Sequence, residues 1–268
     1  MNITRRTSLT IITLLFYCLS QLTYATTKHA TAEPDLAREK RMASEVEETI
    51  LDGEVISLSA NGQSFMALDM AAEGKTKGGI IILHGRGFHP NWADAIQPLR
   101  TQLPTQGWRT LSLQMPVLEK TAKYYDYVPL FALAAPRIEA GIRYLKDQGI
   151  KKIVLLAHSC GAHMAMDWIR KKGDGMIDAY IGAGMGATDY RQKMAQPFPL
   201  DSMTVPVLDI YGEKDYPAVI RMATERKTAI DKVGNPKSRQ VIVPAADHYF
   251  TDQGDALVER VAAWLDNL

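Results

Sequence analysis

From residue 54 the chain alternates with period two: Val55, Ser57 and Ser59 fall on one side, Glu54, Ile56 and Leu58 on the other. Asn61-Gly62 then predicts a tight hairpin turn before residues 65–68, so the segment reads as an antiparallel ribbon. Further on, the pattern changes to short continuous apolar runs at residues 79–83, 110–113, 153–156, 179–181, 207–211 and 241–243. Runs of this length, separated by helical or loop segments, predict strands buried on both faces of a parallel sheet. Between them, Asn91 is a candidate N-cap with Asp94 three residues on, and Gly107 is a candidate stop. Pro136 interrupts the stripe Leu133, Ile138, Ile142, Leu145, which predicts a helix that kinks or begins there. Leu257, Val261, Trp264 and Leu265 give the last helix one apolar face. No internal repeat is visible, and the strand-helix alternation predicts an α/β fold built on an open, doubly wound sheet.

The chain's beginning follows another pattern. Arg5 and Arg6 precede an apolar stretch at residues 9–19 and the small-residue site Thr23-Tyr24-Ala25, which reads as an export signal of residues 1–25. The apolar stretch is shorter than the roughly 20 residues of a membrane-spanning helix, so a mature protein without stable membrane insertion is expected. Residues 26–50 read as a polar linker, containing His29, and a charge-rich helix or mobile arm over 34–50; residues 51–268 form the expected catalytic domain. Cys18 leaves with the signal, and Cys160 remains as a lone cysteine, so no internal disulfide is expected. The expected compartment is the bacterial periplasm. The 268 residues carry 31 Lys+Arg against 30 Asp+Glu, a formal charge of +1, which gives no sign of a nucleic-acid partner.

In an open sheet of this kind, ligands bind beyond the carboxyl ends of the strands. After the run at 153–156 comes Ala157-His158-Ser159-Cys160-Gly161-Ala162 and then a helical stretch. A nucleophile at the apex of a tight strand-to-helix turn needs small residues two positions before and after it, and Ala157 and Gly161 meet that need around Ser159. Moving the apex to Cys160 would place His158 where a small residue is required. After the first apolar run stands Leu83-His84-Gly85-Arg86-Gly87. Its glycines allow close backbone approach, so the N–H of Arg86 or Gly87, with that of Cys160, is the expected oxyanion hole. Two later strand ends supply Asp215 and His248, completing the chain order Ser, Asp, His. Glu213, Asp247 and Asp189 compete with Asp215 as the acid. His158 is expected to pack and His84 to hydrogen-bond the oxyanion loop, His163 falls on the helix after the elbow, and His89, Trp92, Tyr124 and Tyr125 are candidates for lining the pocket.

Residues 79–87, the elbow at Ser159, Asp215 and His248 together resemble the α/β-hydrolase superfamily from about residue 54 to the end of the chain. More narrowly, Leu83-His84-Gly85, Trp92, Pro98-Leu99-Arg100, Gly107-Trp108 and Leu111-Ser112-Leu113-Gln114-Met115-Pro116 are similar to an uncharacterised family of exported Gram-negative proteins. The superfamily resemblance implies a mostly parallel eight-stranded sheet with helices on both faces, and serine-esterase chemistry with neither cofactor nor metal. Ala157 departs from the usual glycine at the first position of the elbow, a change between small residues. The stretch between Ile181 and Val205 leaves no room for a separate lid domain, so an open site for small or polymer-attached esters is expected. The rival readings are a catalytically inactive binding protein of the same fold, and a dienelactone-type hydrolase with a cysteine nucleophile.

Overall fold

In the computed structural model, which describes residues 33–189 and 191–268, the ribbon forms from β1 (Glu54–Ala60) and β2 (Gln63–Met70). Asn61 and Gly62 take φ of 50° and 76° at its tip, the backbone whose twist suits a two-residue hairpin. The export signal with Cys18, and His29 of the linker, lie outside the described residues.

The six apolar runs become β3 (Gly78–Leu83), β4 (Trp108–Leu113), β5 (Ile153–His158), β6 (Ala179–Ala183), β7 (Val207–Gly212) and β8 (Arg239–Val243). They make one eight-stranded sheet in the order β1-β2-β4-β3-β5-β6-β7-β8. The pairings of β1 with β2 and of β2 with β4 are antiparallel, and all the others are parallel. The α-helices among the described residues are α1 (Leu36–Thr49), α2 (Ile96–Gln102), α3 (Tyr124–Tyr127), α4 (Phe131–Asp147), α5 (Cys160–Lys172), α6 (Pro217–Arg221), α7 (Ala223–Val233) and α8 (Gly254–Leu265).

Because successive strand side chains point to opposite faces, each continuous apolar run feeds two cores. Ile81, Leu83, Leu111, Leu113 and Leu155 pack with α4 and α5, while Ile80, Ile82, Val154, Leu156 and Ile210 pack with α2 and α8. Burying each such side chain contributes about 1.5–3 kcal/mol, so the central strands are pinned in register from both sides. The edge strand β8 departs from this pattern. Ile242 is 50% exposed, because β8 has a neighbour only on its β7 side and α8 covers one face alone.

Three local expectations change. Helix α2 begins at Ile96 rather than beside Asn91, whose Oδ1 instead accepts from Nε and Nη2 of the buried Arg100 at 3.1 and 2.8 Å. A buried guanidinium needs acceptors more than a helix end needs a cap. Pro136 lies within α4, five residues after its start, so the helix does not begin there. Helix α1 is fastened to the body: Val46 packs on Met66 and Leu68, Glu39 pairs with the buried Arg137 at 2.9 Å, and Arg38 donates to the Gly87 carbonyl at 3.0 Å.

Strand β3 lies between β4 and β5, so the chain leaves it first to one side and later returns on the other. The loops after β3 and β5 therefore diverge and leave a crevice at their carboxyl ends. Residues 84–87 and Ser159 stand at that crevice.

Candidate active site

Ser159 joins β5 directly to α5 and holds φ 55° and ψ −118°, a conformation non-glycine residues rarely adopt. The tight turn is possible because α5 runs very close to the end of β3. A Cβ on Gly161 would stand 2.7 Å from the carbonyl oxygens of Leu83 and His84, closer than any side chain allows. The turn pushes Oγ of Ser159 forward, where its hydroxyl donates to His248 Nε2 at 2.8 Å. On the far side of the ring, Nδ1–H of His248 donates to Asp215 Oδ1 at 2.6 Å. Asp215 also accepts from the Tyr216 N–H at 2.6 Å, and both it and His248 are buried. The His248 backbone is held as well, since its carbonyl accepts from His158 Nε2 at 2.9 Å.

The structure separates the four candidate acids by their partners. Asp189 binds Arg86 through both carboxylate oxygens at 3.1 and 3.0 Å and also accepts from the Tyr124 N–H. Burial would raise its pKa, but the Arg86 guanidinium and that N–H outweigh burial and hold it below the usual carboxylate range. Glu213 accepts from the Ala245 N–H at 2.9 Å, and Asp247 from the N–H groups of Tyr249 and Thr251, so each shapes its own turn. Of the four, Asp215 alone meets the ring of His248.

Cys160 is the first residue of α5, so its N–H has no intrahelical acceptor and belongs to the positive end of the helix dipole. Gly85 lies against the nucleophile: a Cβ placed on it would be 3.3 Å from Cβ of Ser159. Arg86 lines the cleft at Ser159, whereas Gly87 turns toward α1, its carbonyl taken by Arg38. The thiol of Cys160 is buried, which pushes its pKa up to about 12 and keeps it protonated.

The cleft over Ser159 measures about 40 Å³ and is walled by Arg86, Phe88, Tyr124, Thr188, Tyr216 and Tyr249 among others. It is narrower than the open site expected, and two short connections are tied together through its wall residue Tyr124 and the neighbouring Tyr125. The Tyr124 hydroxyl accepts from the Ala195 N–H at 2.9 Å, and the Tyr125 hydroxyl donates to the Lys193 carbonyl at 3.0 Å. Tyr124 is a wall of the cleft, and Tyr125 is part of the tie rather than the wall. Trp92 does not line the cleft; it stacks behind Phe88 at 3.8 Å, and His89 packs edge-on against it. Phe88, Tyr216 and Tyr249 were not anticipated, although each stands one residue beyond a motif position: the oxyanion loop, Asp215 and His248. The Tyr216 ring stacks on His248 at 4.1 Å and its hydroxyl meets that of Tyr249 at 2.5 Å, so the pair covers the imidazole.

Three other histidines, His84, His158 and His163, are buried braces. His84 donates from Nδ1 to the Gly85 carbonyl at 2.8 Å and accepts at Nε2 from the Met115 N–H at 2.9 Å, tying the ends of β3 and β4. His163 bonds the Ala187 carbonyl at 3.0 Å from α5. Burial lowers His84 to about 3, and His158 and His163 to about 4. Among the described residues no group of three or more His, Cys, Asp or Glu is placed to hold a metal ion, and no helix is long and apolar enough to cross a membrane.

Solved structures give the fold its place. An esterase from Pyrococcus furiosus is similar with a TM-score of 0.63 at 17% identity, over 83% of this chain and 95% of that one. Est1E from Butyrivibrio proteoclasticus gives 0.61 at 15% identity over 80% and 98%. A dienelactone hydrolase from Anabaena variabilis gives 0.61 at 20% identity over 80% and 96%. At these identities the likeness establishes the α/β-hydrolase fold. Comparison with curated proteins finds no match. The family described as protein of unknown function (DUF3530) matches residues 7–136 and 131–267, and this α/β-hydrolase-fold chain belongs to it.

Proposed function

We propose that the protein is a serine hydrolase acting on carboxylic esters with small acyl groups, free or attached to a polymer. The observation that carries this reading is the unbroken relay from Ser159 Oγ to His248 Nε2 at 2.8 Å and from His248 Nδ1 to Asp215 at 2.6 Å, set on a strained strand-to-helix turn. In the proposed reaction, His248 takes the hydroxyl proton as Ser159 attacks the ester carbonyl carbon. The N–H groups of Cys160 and Arg86 stabilise the resulting oxyanion, each contributing about 3 kcal/mol. The imidazolium returns the proton to the departing alcohol, and water then releases the acyl group by the same steps in reverse. Asp215 keeps the imidazole in the tautomer that can accept from Ser159.

A fold kept for binding alone would not require a nucleophile, base and acid in line, nor the strain at Ser159. The cysteine alternative is opposed by the position and protonation of Cys160. Export to the periplasm belongs to the same proposal and is supported by the sequence of residues 1–25. Labelling the purified protein with a fluorophosphonate tests the chemistry. One equivalent should attach at Ser159, with none in Ser159→Ala; an unlabelled wild-type protein would favour the inactive binding protein. N-terminal sequencing of protein from a periplasmic extract tests export, the expected first residue being Thr26.

A further inference from the structure

A second groove, of about 490 Å³, opens beside the cleft, and Arg86, Thr188 and Tyr216 line both. A substrate whose carbonyl sits at Ser159 can therefore extend into this groove without leaving the protein surface. Its charged lining is Arg86, Arg191 and Arg221 against Asp189 alone. Over the whole chain the two signs nearly cancel, 31 against 30, so this local excess is a property of the groove and not of the composition.

Asp189 binds Arg86 through both oxygens and also accepts from the Tyr124 N–H, so these two charges balance each other and the net excess of the lining is the two positive charges of Arg191 and Arg221. Arg221 ends the short helix α6 and makes no ion pair among the described residues. Arginines on a flat surface are ordinarily just solvated. In a concave site their field adds, and planar guanidinium forks match the paired oxygens of carboxylates and phosphates. We infer that this groove is a subsite for an anionic group, a carboxylate or a phosphate, carried by the substrate that Ser159 attacks. The inference rests on the hydrolase reading for its substrate and deepens it: the ester is anionic at a point removed from the scissile bond.

The test pairs nitrophenyl hemiglutarate with nitrophenyl pentanoate, esters of equal acyl length that differ in terminal charge. At low salt, kcat/KM should favour the charged ester about tenfold, and 1 M NaCl should erase most of that preference by screening. Arg221→Gln should reduce the ratio of the two kcat/KM values several-fold, while Arg221→Lys should retain most of it. A preference for pentanoate, or a ratio indifferent both to salt and to Arg221→Gln, overturns the subsite. Calorimetric titration of Ser159→Ala with glutarate and with inorganic phosphate decides the matter independently of turnover. Binding of either that is lost on adding Arg221→Gln supports the subsite and identifies the preferred anion; binding of neither overturns it. If neither ester is hydrolysed, the hydrolase reading fails and the titration alone judges the groove.

Discussion

Asp215 and Asp189 both follow strands of the sheet and both stand near Ser159, yet they live in different physical settings. Asp215 is 3% exposed beneath His248, where its charge has no outlet except the imidazole and nearby backbone N–H groups. Asp189 sits at the rim, its side chain 21% exposed, and its charge is spent on Arg86 and on fastening α3. The same functional group thus holds an imidazole in one place and ties a wall in the other. What differs is the partner each meets in the folded chain and how far water is excluded.

The sharpest way to break this contrast is Asp215→Asn, which keeps the shape but favours the wrong imidazole tautomer. A fall in kcat of roughly 10⁴ is expected in a steady-state ester assay, where a triad aspartate behaves in this way. Asp189→Asn should cost less than about tenfold in kcat/KM and about 1 kcal/mol in stability, as fits a partly exposed ion pair. Reversal of the two effects would exchange the assignments.

The neutral braces around the site add a second distinction, visible in urea denaturation against pH. His84, His158 and His163 have folded pKa values below their unfolded value of 6.5, at about 3, 4 and 4. Above pH 6.5 both states are neutral and these groups contribute nothing to the pH dependence. As pH falls from there toward 4, only the unfolded chain gains protons, so stability should drop by about 1.4 kcal/mol per pH unit for each group titrating. The buried Glu39 and Asp209, whose pKa values are raised chiefly by burial, oppose this at the acid end. Replacing His163 by Gln should make the slope shallower by one such contribution; an unchanged slope would mean that His163 is charged in the folded protein.

The smallest effect concerns the narrow cleft. Each buried methylene is worth about 0.8 kcal/mol, so kcat/KM on nitrophenyl esters should rise from acetyl to about butyryl and then stop rising. A steady climb to sixteen carbons would show that the tie between Tyr125 and Lys193 opens to admit long chains.

Much of this site was legible in the sequence because its parts lie at the ends of apolar runs. The run ending at Leu156 places Ser159 on a turn, and those ending at Tyr211 and Val243 place Asp215 and His248 beyond the same edge of the sheet. What escaped was everything decided across the chain. Asp189 could not be read as a partner of Arg86, 103 residues away, and Asn91 could not be known to serve Arg100 instead of a helix end. Periodicity also cannot distinguish a central strand from an edge strand, which is why half-exposed Ile242 was expected inside. Tyr124 and Trp92 are similar as letters; only packing puts one at the wall and the other behind Phe88.

The distance along the chain between Ser159 and His248 has a consequence for the protein's manufacture. The two are 89 residues apart, and Asp215 precedes the histidine by 33. At about 5–20 residues per second, a ribosome needs roughly 5 to 20 seconds to go from the serine to its base. Throughout that interval the nascent chain carries a serine with no partner to activate it. A product released early by truncation or a stalled ribosome would lack His248 in the same way, so under the proposed hydrolase reading the order of synthesis itself delays hydrolysis until the last helix is close behind.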